Sequence, residues 1–121
     1  MTPNQQTVAT YMDGFRKTDR AQILACLTDD VEWFVPGLFH VHGKEDFARH
    51  IVDDGFTEKP PVLTSRMLED GDTVVAEGSV RAARQDGTAL EMVFCDVFDF
   101  RNGKIRKLVS YLVENNEGQA G

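Results

Sequence analysis

Asp96 is the residue of this chain most suited to chemistry. It lies in the run 88–101, where side chains at alternate positions share one face of a strand. One face carries Leu90, Met92, Phe94, Asp96, Phe98 and Phe100. A carboxylate in an apolar row needs a partner or keeps its proton, because burying it charged is costly. An acid tuned in this way, facing a cavity, can give or take a proton near neutral pH. The alternative is a structural acid, paired with Arg81, Arg84 or Arg106 or turned outward by a strand bulge. Glu91 and Asp99 fall on the opposite face, where charge is easily solvated.

Two histidines come next. Leu38-Phe39-His40-Val41-His42-Gly43 alternates apolar residues with imidazole. In an extended segment His40 and His42 project to one side. Imidazole titrates near neutral pH and suits a general base. The expectation is a pair at the rim of a cavity, with a plain surface loop as the alternative. The pair also has metal-ligand spacing, but a site needs a third and a fourth ligand. His50 is the only other histidine and falls on a helix, so no metal is expected. Tyr11 is the last candidate. It shares a helix face with Val8, Met12 and Phe15, where its hydroxyl needs a buried partner; otherwise it is simple core.

The elements that must position these residues are readable in order. Helix one covers about 4–17. Thr18-Asp19 breaks it and offers an N-cap. Helix two turns Ile23, Leu24 and Leu27 inward, uses Cys26 for packing and ends at Asp29-Asp30. A short strand over 31–36 places Trp33 and Val35 on one face and Glu32 and Phe34 on the other. Pro36-Gly37 is a turn. Helix three covers about 44–53, with Phe47, Ala48 and Ile51 inside. Gly55 and Pro60-Pro61 close the helical region. Asp70-Gly71, Asp86-Gly87 and Asn102-Gly103 are turn signals. They divide the remainder into strands at about 62–69, 73–84, 88–101 and 104–114. The tail NNEGQAG is polar and frayed.

The order α-α-β-α-β-β-β-β predicts one α+β domain over 1–121, with three helices on one face of a curved antiparallel sheet. The other face is also apolar. Val93, Cys95 and Val97 lie opposite Asp96, and Val109, Tyr111 and Val113 lie opposite Leu108, Ser110 and Leu112. Helices can cover only one face, so the second predicts a homodimer packed through the sheet.

Composition limits the function. With 121 residues, 41% hydrophobic and 27% charged, the chain can bury a core. A net charge of −7 argues against nucleic-acid and anionic-membrane partners. No apolar run is long enough to span a bilayer, and MTPNQQT lacks the features of a signal peptide. Cys26 and Cys95 suit reduced thiols of a cytoplasmic protein. There is no CxxC, P-loop, GxGxxG or HExxH, and no cofactor is expected.

The order of elements, together with TDRAQILACLTDDVEWFVPG, HVHGKEDF and CDVFDFRNGKI, resembles the nuclear transport factor 2-like superfamily. Within it, the chain resembles the SnoaL-like and ketosteroid isomerase-like branch. The resemblance runs from about Val8 to Glu114 and implies the cone-shaped NTF2-like fold. Ketosteroid isomerases stabilise an enolate with a helix-one tyrosine and a protonated strand aspartic acid. The resemblance puts Tyr11 and Asp96 at those two positions. The isomerase base position falls on or beside Val35, where no carboxylate stands, and Ile51 occupies a position that carries a tyrosine in the isomerases.

Three readings follow. In the first, Tyr11 and Asp96 polarise a carbonyl and His40 or His42 moves the proton. In the second, resembling polyketide cyclases, Asp96 is itself the acid/base on an enolisable carbon. In the third, the chain is a non-catalytic small apolar ligand-binding or dimerisation module. The expected pocket wall is Trp33, Val35, Phe94, Phe98, Leu108, Ser110 and Leu112, and the expected ligand is a small apolar molecule.

Overall fold

A computed structural model describes residues 1–51, 62–83 and 87–114. Helix α1 spans Pro3–Lys17. Thr2 caps it, accepting from the Gln5 amide, while Gln5 reaches back to the Thr2 backbone, a reciprocal capping box. Its inner face buries Val8, Tyr11 and Met12. Asp19 caps α2, Arg20–Leu24, by accepting from the Gln22 amide. Gly14 lets the two helices touch, since a Cβ there would lie 2.7 Å from Ile23 Cγ1.

Helix α2 is shorter than its sequence suggests. It stops at Leu24, and strand β1 already begins at Leu27, running Leu27–Val35. A tertiary contact decides this boundary. The Ala25 and Cys26 carbonyls, which follow the helix, accept from Lys104 Nζ at 2.6 Å and from the Ile105 amide at 2.8 Å. These bonds satisfy carbonyls left open at a helix end. Leu27 therefore enters the core from a strand, in register with Ile105.

Strand β2 (Phe39–His42) pairs antiparallel with β1 and leads directly into α3, Gly43–Arg49. Strands β3 (Val62–Asp70), β4 (Thr73–Ala83), β5 (Ala89–Arg101) and β6 (Lys104–Glu114) form the expected antiparallel meander. At the β5–β6 hairpin, Asn102 and Gly103 have φ of 53° and 80°, the positive values a two-residue hairpin turn requires. Helix α3 ends at Arg49, short of the expected 53, with His50 as its C-cap. The Gly55 and Pro60-Pro61 breakers, Asp86 of the third turn and the tail lie outside the described residues.

The six strands run in the order β2-β1-β6-β5-β4-β3. The sheet is mixed, not wholly antiparallel, because β1 pairs parallel with β6. The N-terminal helices deliver β1 to the free edge of the last strand. Helices and sheet enclose one core, in which Val8, Ile23, Leu27, Val31, Phe47, Phe98, Ile105 and Leu108 are buried. An aromatic group lies within it. Trp33 stacks on Phe47 with ring centroids 4.4 Å apart, and Tyr11 meets Phe98 edge-on at 5.4 Å. No helix among the described residues is long and apolar enough to cross a membrane.

Candidate active site

A cavity of about 110 Å3 lies between the sheet and α1. Tyr11 and Phe15 face it from the helix, and Trp33 and Val80 from β1 and β4. Phe94, Asp96, Ser110 and Leu112 complete the wall. The last four come from paired positions, since Phe94 faces Leu112 and Asp96 faces Ser110 across β5 and β6. Alternation puts all four side chains on one face. Phe98 and Leu108, the next pair toward the hairpin, are fully buried core, as is Val35. None of the three lines the cavity, so the expected wall is corrected on those positions. They lie deeper in the core cluster that surrounds the cavity.

Asp96 is buried, and its Oδ1 has no hydrogen-bond partner among the described residues. Burial pushes its carboxyl from 3.8 up to about 7, and a hydrogen bond from Ser110 opposes the rise. Among the described residues, no arginine pairs with it. Arg81 pairs with Glu91 at 3.3 Å, Arg106 is exposed, and Arg84 lies outside the described residues. The Ser110 hydroxyl is itself oriented. Trp33 Nε1 donates to Ser110 Oγ at 3.0 Å, and an indole N–H can only donate. The single serine proton is thereby left for Asp96.

Tyr11 is also buried. Desolvation holds its phenol well above the ordinary value of 10.0, and the nearby Asp96 and Cys26 add to this. Tyr11 therefore remains a neutral O–H at physiological pH. The cavity combines a neutral donor with an acid that titrates near neutrality.

His40 and His42 do not reach this cavity. Phe34 pairs with His40 and Glu32 with His42, so both imidazoles lie on the outer face, with Glu32 and Phe34. The inner face of β2 belongs to Phe39 and Val41, and Phe39 meets the Trp33 ring edge-on at 5.0 Å. The rim expectation fails because the apolar half of the alternation determines which face turns inward.

The model of the SnoaL-like domain family matches residues 8–108. This chain belongs to that family. No curated protein matches it in sequence. Among solved structures it is similar to TerC co-crystallised with polyporic acid, at 23% identity, TM-score 0.81, and coverage of 98% of this chain and 96% of that one. It is similar to an LEH-like epoxide hydrolase of M. tuberculosis, at 20% identity, TM-score 0.80, and coverage of 92% and 83%. It is also similar to a protein from Jannaschia sp. CCS1 described as a SnoaL-like polyketide cyclase, at 17% identity, TM-score 0.81, and coverage of 91% and 85%. At these identities the likeness is one of fold, and this fold carries several chemistries.

In this SnoaL-like domain, sequence reading alone missed Phe15 and Val80 as wall residues. Phe15 shares a helix face with Tyr11, which was a usable signal. It also missed Gly78, which pairs with Phe94. A Cβ at Gly78 would lie 2.6 Å from Phe94 Cζ and 2.0 Å from the Leu63 carbonyl oxygen. A glycine inside a strand is a known sign of close approach, and here the ring of Phe94 lies over it. A second, larger groove of about 390 Å3 runs beside α1 and α2, touching Cys26 and Lys104. Burial pushes the Cys26 thiol up, and Lys104 is held by Ala25, so this groove presents no activated group.

Proposed function

We propose that this SnoaL-like domain moves a proton on a small apolar carbonyl compound, as an isomerase or a cyclase. Asp96 is the acid/base and Tyr11 donates to the carbonyl oxygen. The observation that carries this reading is the unpartnered carboxyl oxygen of Asp96 in the wall that Tyr11 shares. In its ionised form Asp96 takes a proton from the carbon beside the carbonyl. The electron pair moves onto the carbonyl oxygen, where the Tyr11 O–H stabilises the enolate. Returning the proton to a different carbon isomerises the substrate. In a ring closure the enolate carbon attacks a second carbonyl of the same molecule, whose π pair becomes an alkoxide that takes the proton back from Asp96. Efficiency is highest when the acid titrates near working pH, which matches an Asp96 value of about 7.

Size limits the substrate. The cavity, at about 110 Å3, is smaller than the roughly 150 Å3 void that accommodates benzene. It admits the reacting head of a molecule, with the remainder passing over half-exposed Leu112. The histidine-assisted route has no geometric support, because His40 and His42 face away. A non-catalytic apolar binding module is the second reading, favoured by the small volume and the single carboxyl in the wall.

We also propose a homodimer through the outer face of the sheet, where Val93, Tyr111 and Val113 are exposed. The free thiols Cys26 and Cys95 suit a cytoplasmic location.

The test is solvent deuterium exchange into small enolisable ketones, followed by NMR. Wild type should accelerate exchange and Asp96→Asn should abolish it, because an amide cannot shuttle the proton. Tyr11→Phe should reduce it by roughly 10²–10³, the usual cost of losing one oxyanion donor. Exchange that is equal in wild type and Asp96→Asn rejects the enzyme reading. If, in addition, Asp96→Leu raises thermal stability, the binding-module reading is supported.

A further inference from the structure

We propose that Glu32, His40 and His42 form a binding site for a borderline divalent cation of the zinc type on the outer face of the β1–β2 hairpin. The site is separate from the Asp96 cavity and does not depend on the function assigned to it. The HxH pair alone lacks a third ligand, and the fold supplies one. Glu32 pairs across the strands with His42 and stands diagonal to His40. His40 Nε2 lies 2.5 Å and His42 Nε2 4.0 Å from Glu32 Oε2. The three ligand atoms all fall within 4.8 Å of one another.

The geometry suits a metal centre. Tetrahedral bonds of about 2.0–2.1 Å separate neighbouring ligand atoms by roughly 3.3 Å. The distances observed here bracket that value, so small rotations of exposed side chains are enough. Hydrogen-bonded strands hold the three Cα positions, and the rings are already gathered. His40 packs on Phe34 with centroids 4.8 Å apart and on His42 at 4.7 Å. Imidazole and carboxylate ligands match zinc and its neighbours better than calcium or magnesium, which prefer oxygen alone. Glu32 supplies the anionic ligand. Three protein ligands leave one position open for water or a solute.

One charge opposes the cation. Lys107 on β6 stands in register with Glu32 and acts on its carboxylate. Removing that positive charge should tighten metal binding without touching a ligand. His42 ends β2 and directly precedes Gly43, the first residue of α3. A bound ion would pin this edge strand to β1.

The experiment is calorimetric titration of the tag-free chain with Zn2+, together with Co2+ absorption spectroscopy. One ion per chain should bind, and Co2+ should give the intense visible bands of a four-coordinate site. His40→Ala, His42→Ala and Glu32→Gln should each weaken binding at least tenfold, since even outer partners of a metal cost 10–100-fold. His50→Gln should leave it unchanged, and Lys107→Gln should tighten it severalfold. All five substitutions lie at the surface or half-buried, so each variant should fold. The proposal is overturned if wild type shows no saturable binding at micromolar concentration. It is also overturned if the Glu32 and His40 variants bind as wild type does.

Discussion

Trp33 Nε1 donates to Ser110 Oγ at 3.0 Å, joining β1 to β6 inside the cavity. The indole is held by its stack on Phe47, so the direction of the serine hydroxyl is set by the core. A helix-three phenylalanine thereby acts on a strand carboxyl through two intervening side chains.

Ser110→Ala removes the group that opposes the rise in the Asp96 carboxyl. A hydrogen bond to a charged group contributes about 1.5–3 kcal/mol, so the Asp96 titration midpoint should rise by about one to two pH units. Carbon-13 NMR of labelled aspartate reads this directly, and the pH profile of any activity should move alkaline with it. An unmoved midpoint would mean that the serine proton is not directed at Asp96.

The contribution of Asp96 to stability should fall as pH rises through the window set by its carboxyl. Below about 3.8 the carboxyl is protonated both folded and unfolded. Between 3.8 and about 7 the folded state keeps the proton while the unfolded state releases it. The folded state then binds more protons, so stability declines with pH, by about 4 kcal/mol once pH exceeds 7. Asp96→Asn removes this titration. Urea unfolding at several pH values should show the variant gaining on wild type across the window, and a pH-independent difference would contradict the buried acid.

Gly78→Ala should destabilise the sheet by about 1–3 kcal/mol, the usual cost of overpacking. The new Cβ would meet the Leu63 carbonyl oxygen at 2.0 Å, and a backbone atom cannot swing aside. The variant should also displace Phe94 and change the cavity wall. Adding Phe94→Leu relieves only the ring contact, so thermal denaturation of the double variant should recover part of the loss. Full recovery would show that the β3 backbone is not the obstacle.

Much of this architecture was legible because local chemistry and tertiary demand agree. Asn102-Gly103 specifies its hairpin by backbone conformation alone, and the alternation around Asp96 places that residue inward without reference to other elements. The α2–β1 boundary was not legible. It depends on Lys104 and Ile105 capturing carbonyls of residues far away in sequence. The parallel β1–β6 pairing has the same long-range origin. At the site, Tyr11 and Asp96 could be found from their faces. The histidines were misplaced because an HxH pair reads equally well inward or outward until Phe39 and Val41 are weighed against it. Gly78 left a signal of its own, a glycine in mid-strand, but its partner Phe94 becomes visible only once the β4–β5 register is fixed.

The outer face of the sheet carries the last prediction. Val93 and Val113 are opposite one another in register, and Tyr111 faces Cys95 one step along. Tyr111 is 51% and Val113 61% exposed, on a face that no helix among the described residues covers. A twofold dimer applies the same patch to itself, so a charge placed near the axis meets its own copy. Tyr111→Glu should therefore introduce two like charges into an apolar contact and dissociate the dimer. The fold should survive, because the side chain is exposed in the single chain. Sedimentation at micromolar concentration should give a dimer for wild type and a monomer for the variant, with unchanged circular dichroism. A monomeric wild type would mean that this apolar row serves another partner or none.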